Sequence, residues 1–271
     1  MLLVLLFSIK RLQNVIFNEV KSTENGGAIS LVNSSLALDR CSFFKCFSSR
    51  TGGAIYSSDN SMLTMSCNMF IECRCGSTSN DGSGSALFTS STDIDMNRAT
   101  IYLCGPPGTM ADSCYIFYDG LNRLDGYNTT ECCGNKGICS GMMARYTPGS
   151  FQRFVHVYNC SNEYAFGVWQ GKALEARYLN IISCKVSGLI HTSSSQLTIV
   201  YGYFINNGVT SHHPATFIDC KSDINMGSGI EWVPGLTGHI TFLACGSTPF
   251  TITPNNALAL SLFLLVLMML E

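Results

Sequence analysis

The chain has 271 residues, of which 13% are charged, and a net charge of −2. Soluble chains carry about a quarter charged residues, so Ser, Thr, Asn and Gly must fill most outward positions here, and with no basic stripe to neutralise phosphates, nucleic acid is excluded as a partner. Fourteen cysteines, together with hydrophobic segments at both ends, point to a secretory route and an oxidising compartment.

Residues 1–11 open with MLLVLLFSI before Lys10-Arg11. The run reads either as a signal peptide or as an inward strand of a first coil, because Leu12 and Phe17 fall in register with Leu38 and Phe43. From residue 12 to 105 a repeat is evident. Phe17, Phe43 and Phe70 are 26 and 27 residues apart, and alternating apolar pairs precede the later copies: Leu36/Leu38, Leu63/Met65 and, one step on, Ile94/Met96. Alternation at period two describes strands, and units this short cannot bury an apolar face alone, so they must stack as a solenoid. Glycine pairs turn the corners at Gly26-Gly27-Ala28-Ile29 and Gly52-Gly53-Ala54-Ile55, with Gly84-Ser85-Ala86-Leu87 as a degraded third copy.

Residues 106–150 break the pattern, opening on Gly105-Pro106-Pro107-Gly108 and closing on Pro148-Gly149. Cys114, Cys132, Cys133 and Cys139 lie within it and predict a disulfide-stapled insert; a zinc site is the alternative, although the segment has no C-x₂-C pair. Coils resume over 151–247, where Phe204 and Phe217 are only 13 apart, so one of them is out of register. A linker at 248–256 leads to the apolar run 257–271, read as a hydrophobic helix attaching the chain to a membrane by a marginal span or by a lipid-anchor signal. The same run as a cap over the last coil fits less well, because it is apolar all round.

The repeats, GGAI with a phenylalanine three residues before Asn or Cys, resemble those of polymorphic outer membrane proteins, of autotransporter passengers and of related protist surface proteins. Phe204-Ile205-Asn206-Asn207 keeps the FxxN form. Cys replaces Asn at Phe43/Cys46, Phe70/Cys73 and Phe217/Cys220 and, in the last copy, at Phe242 with Cys245; weaker forms end at Cys104, Cys160 and Cys184. The resemblance implies an all-β, right-handed parallel β-helix of about eight coils, and an adhesin-like or antigenic role at the cell surface.

Stacked on successive coils, Cys46, Cys73 and Cys104 would be close enough for disulfides, but an internal ladder of free thiols suits inward cysteines better. N-x-[S/T] sequons at Asn33, Asn128 and Asn159 are candidate glycosylation sites. Asp93 and Asp95 project from one strand face, the kind of pair polysaccharide-cleaving β-helices use, yet neighbouring rows supply no partner. His212-His213 lack further metal ligands. Trp169, Trp232, Tyr201 and Tyr203 either form a sugar-stacking surface or pack inside the coils. No enzyme motif is present, so the expected function is non-catalytic, without cofactor or metal, with the membrane and an extracellular or host-cell glycan or protein as partners. A carbohydrate-active enzyme and a structural coat component are the alternatives.

Overall fold

The computed structural model describes residues 3–4, 11–59, 61–76, 84–105, 113–134, 137–227, 229–236 and 250–252. Among them there is no helix, so none crosses a membrane, and every strand pairing is parallel. The chain winds as a β-solenoid of about seven turns, built from a 15-stranded sheet, an 8-stranded sheet and a short 3-stranded one. The count is below the expected eight because the 8-stranded sheet ends at Lys185–Ser193, and the last turns have strands only on the long sheet. The helix expected over 257–271 lies outside the described residues. So do Phe242 and Cys245, the repeat expected to close the C-terminal coils.

Registration follows the alternation read from the sequence. Leu12, Leu38, Met65, Met96 and Leu124 pair in succession, and the file continues through Gln152, Ala176 and Ile199 to Phe217. A second file runs Phe17, Phe43, Phe70, Ile101, Thr129, Val157, Ile181, Phe204. In it the rings of Phe17, Phe43 and Phe70 stack at 4.8 and 4.9 Å, one strand spacing apart. Phe217 is therefore the phenylalanine out of register. It and Cys220 belong one corner earlier than the Phe204 file, because the final full turn takes only 18 residues from Gly202 to Cys220. At the N-terminal end, Leu3–Val4 pairs with Ile29 and Ser30, as a first coil would, and Phe250–Ile252 pairs with Val15–Phe17.

The expected insert does not leave the rod. Ser113–Tyr118, Asn122–Thr130 and Ile138–Ala144 are strands in register with the coils on either side. Cys114, Cys132 and Cys139 are buried inside the solenoid and, like Cys133, carry no disulfide. What hides this coil is its polar filling: the buried Tyr115 hydroxyl lies 2.7 Å from Ser140 Oγ and 3.3 Å from Thr129 Oγ1, and Tyr127 donates to Gln152 Oε1. Such groups tolerate burial only when each finds a partner, and the partners come from adjacent coils.

Corners are made mostly by single left-handed residues. Twenty-three described non-glycine residues have φ between 48 and 60°, in three files that climb the rod. Each costs about 1–2 kcal/mol in isolation. The strain is offset because the corner N–H still reaches the next coil, as in Arg40 N to Ser66 O at 2.8 Å and Glu72 N to Tyr102 O at 3.0 Å. In the glycine pairs the first member is also left-handed, Gly26 at φ 74° and Gly52 at 65°, while the second serves a different need. A Cβ on Gly53 would lie 1.9 Å from Ser85 O and 2.3 Å from Arg74 O, and one on Gly27 only 2.0 Å from Gly53 O. Glycine is demanded there by the closeness of neighbouring backbones.

Candidate functional site

The residue after each corner turns inward, and at two of the three corner files it is repeatedly Cys or Asn. One column runs Cys46, Cys73, Cys104, Cys132, Cys160, Cys184 and ends at Asn207; the other holds Cys41, Asn68 and Cys220. Cys245, the further member that repetition of the motif places in this series, lies outside the described residues, within which the columns end at Asn207 and Cys220. Ile230–Trp232 takes the rung after Cys220–Ser222, with Ile230 opposite Cys220.

Asn207 shows what the position requires. Its Oδ1 accepts the Cys184 N–H at 3.0 Å, and its Nδ2 donates to Ile181 O at 2.9 Å, both on the preceding coil. Asn68 does the same with Cys41 N–H at 2.9 Å and Leu38 O at 3.1 Å.

A cysteine reproduces this pair. Cys220 Sγ accepts the Gly202 N–H at 3.2 Å and lies 3.4 Å from Ile199 O. In the long column the carbonyl half of this pairing recurs, with Cys73 Sγ 3.4 Å from Phe43 O and Cys184 Sγ 3.6 Å from Val157 O. Asn and Cys in the repeat thus do one job: they satisfy an inward N–H and C=O that the sheet ladder leaves behind at each corner.

The thirteen described cysteines are unbridged, and the column is a file of hydrogen-bonded thiols, with Cys114 and Cys139 joining it from the opposite sheet. Burial raises the Cys46, Cys104 and Cys139 thiols well above the ordinary range, which suppresses the reactive thiolate. Native labelling with a thiol reagent, mapped by mass spectrometry, is expected to modify Cys67 and Cys133 ahead of the column, since both are partly exposed. Ready modification of Cys46, Cys104 or Cys139 in the folded protein would contradict this packing.

Outside the rod, one corner file carries Cys67, Arg98, Gly126, Phe154, Tyr178, Tyr201 and Asp219. Phe154 and Tyr178 stack with centroids 4.7 Å apart and planes 1° from parallel, and Tyr178 and Tyr201 follow at 5.2 Å and 17°. All three face solvent, Phe154 being 51% exposed. Tyr203 and Trp232 are exposed on the same sheet, whereas Trp169 packs against Ile116 and Ile138. The stack stops at Gly126. There a notch of about 410 Å³ opens, lined by Asn97, Arg98, Asp125, Asn128, His156 and Asn180 along with the aromatic edge. A larger pocket of about 570 Å³ lies by Glu19, Lys21, Lys45, Glu72 and Arg74, but its charges are interleaved and Lys45 pairs with Glu72 at 3.9 Å.

Other candidate residues are accounted for by structure. Asp93 accepts the Leu121 N–H at 2.9 Å, tying two coils together, and Asp95 pairs in register with Thr64 and Arg123, so no second acid faces them. Among the described residues no group of His, Cys, Asp and Glu is arranged to hold a metal ion. His213 accompanies His191, with ring centroids 4.6 Å apart, and Tyr164 OH lies 3.1 Å from His213 Nε2. Asn33 and Asn159 stand at exposed corners, but Asn128 is buried to 2% exposure and has no room for a glycan.

Burial lowers the pKa of His156, and burial followed by the nearby His213 lowers that of His191, with Glu163 opposing. The fold therefore prefers both imidazoles neutral. The unfolded chain, with histidines near 6.5, takes up protons first, so stability is full above about pH 6.5 and falls as pH drops below it. A melting temperature a few degrees lower at pH 5 than at pH 7.5 is expected, with a shallower slope for His191→Asn; an identical slope in that variant would remove His191 from the account.

These features define a parallel β-solenoid with a low-charge outer surface and an aromatic corner. No known protein family, characterised protein or solved structure matches the chain, so its function is argued from this geometry.

Proposed function

We propose that the chain is a non-catalytic β-helical protein of the cell surface, acting as an adhesin or surface antigen and held to the membrane by its C-terminal tail. Its winding is taken as right-handed, as crossovers between parallel strands almost always are. The observation that carries the reading is the open stack of Phe154, Tyr178 and Tyr201: three aromatic rings in solvent, on a rod that buries the aromatic file of Phe17, Phe43 and Phe70 in its core. Exposed apolar groups gathered in one place mark binding surfaces rather than fold requirements. Likeness of the GGAI/FxxN repeats to those of surface proteins supports the same assignment, and the sequons at Asn33 and Asn159 are compatible with it. Asp93 and Asp95 face no second acid or base that would complete a hydrolytic pair, which favours contact with a ligand over its cleavage.

Surface proteolysis and antibody staining of intact cells expressing the full tagged chain test the proposal. It predicts staining without permeabilisation and loss of the tag to external protease. A chain found only in the cytosol would overturn it.

A further inference from the structure

The notch at Gly126 is a missing rung in an otherwise continuous outer file. Gly126 stands between Arg98 on one coil and Phe154 on the next, so the ring face of Phe154 turned away from Tyr178 has no side chain opposite it. Two strand spacings separate the Arg98 and Phe154 backbones, about 9.6 Å. Two van der Waals contacts of about 3.5–4.0 Å fit within that distance, so one ring, flat or saturated, has room between them.

Chemistry at the rim narrows the occupant further. Asn97 and Asp125 line the notch, and among the described residues neither Arg98 nor Asp125 forms an ion pair. An amide and a carboxylate beside an aromatic face suit a molecule with an apolar ring face and a rim of hydroxyls. A phosphate would meet Asp125, and an apolar protein side chain would take water from the Asp125 carboxylate and give it nothing in return. The volume, about 410 Å³, lies within the range of small-molecule sites.

We infer that the Gly126 notch is a subsite for one neutral pyranose ring of a glycan, seated on the free face of Phe154 with its hydroxyls toward Asn97 and Asp125. The inference rests on the reading of the rod as a binding protein and gives that reading a ligand class.

Isothermal titration of the full chain with cellohexaose, maltohexaose and chitohexaose, and with adenosine monophosphate as a flat-ring control, tests it. Binding of at least one hexasaccharide is expected, with Kd on the order of 0.1–1 mM. Gly126→Phe, which fills the gap at a corner whose neighbours already hold Arg98 and Phe154 at φ 60 and 50°, is expected to weaken that binding more than tenfold while lowering the melting temperature by no more than the few degrees that a side chain at φ 72° costs. Phe154→Ala, at an exposed position, should weaken it similarly and covers the case in which Gly126→Phe does not fold. Sugar binding unchanged in the folded variants would overturn the subsite while leaving a glycan-binding rod. Binding of adenosine monophosphate alone would overturn the sugar assignment. No binding of any hexasaccharide by a chain that does stain at the cell surface would overturn the subsite and leave the surface reading standing.

Discussion

Gly53→Ala is expected to destabilise the solenoid by at least about 4 kcal/mol, lowering its melting temperature by 8 °C or more on the scale of about 2–4 °C per kcal/mol for a chain of this size. The added methyl would sit 1.9 Å from Ser85 O and 2.3 Å from Arg74 O, both backbone atoms of the next coil. Neither can swing aside as a side chain would, so relief requires the coils to part and the ladder bonds of Gly53 N to Gly84 O and Ala54 N to Ala86 O to lengthen. Gly208→Ala is the control. Its φ is +71°, but nothing lies within 4 Å of the new Cβ, so only the left-handed penalty of about 1–2 kcal/mol applies. Circular dichroism melts of the two variants separate close approach from backbone conformation; equal losses would show that close approach of the coils is not what fixes Gly53.

A second large effect is expected at Asn68. Asn68→Ala leaves the Cys41 N–H and the Leu38 C=O buried and unpaired, at about 1–3 kcal/mol each, for a total of about 2–6 kcal/mol. Asn68→Cys is expected to recover most of that loss, ending within about 1 kcal/mol of the native chain, because a thiol at an equivalent corner already serves both groups at Cys220. A cysteine variant as unstable as the alanine one would mean that the amide does something the thiol cannot, and the equivalence of Asn and Cys in the repeat would fail.

The frame of the fold was open to reading because its signal is periodic. Phe17, Phe43 and Phe70 recur at nearly constant spacing and stack ring on ring, and Leu38, Met65 and Met96 meet in the order that alternation implies. The coil at 113–144 escaped because its interior holds Tyr115, Tyr127, Thr129 and Ser140, whose hydroxyls read as surface until the neighbouring coils bring them together. Phe217 misled for another reason: with an 18-residue turn, a motif of the right composition arrives one corner early. The same motif at Phe242 and Cys245 lies outside the described residues. The stacked thiols follow from the recurrence of Cys after the corner, but their pairing with N–H and C=O groups depends on left-handed φ values at residues such as Lys45, Glu72 and Leu103, which carry no glycine to announce them.

The outer aromatic file was legible only in part. Tyr201 and Tyr203 stood out as aromatics, but Gly126, Phe154 and Tyr178 occupy corner positions 28 and 24 residues apart, where polar, charged and aromatic residues all occur and no alternation marks the outward face. A glycine in a strand reads as a bulge or a turn. Only the register shows that it leaves one aromatic ring face uncovered.

Everything above depends on like positions stacking coil upon coil. A distance between genetically encoded spin labels at Gln13 and Arg177 tests this most directly, since the two are 164 residues apart in sequence yet belong to one outward file through Asp39, Ser66, Asn97, Asp125 and Arg153. Six rungs predict a single narrow distance of about 29 Å. A broad distribution, or a distance displaced from this by one rung or more, would contradict the stacking.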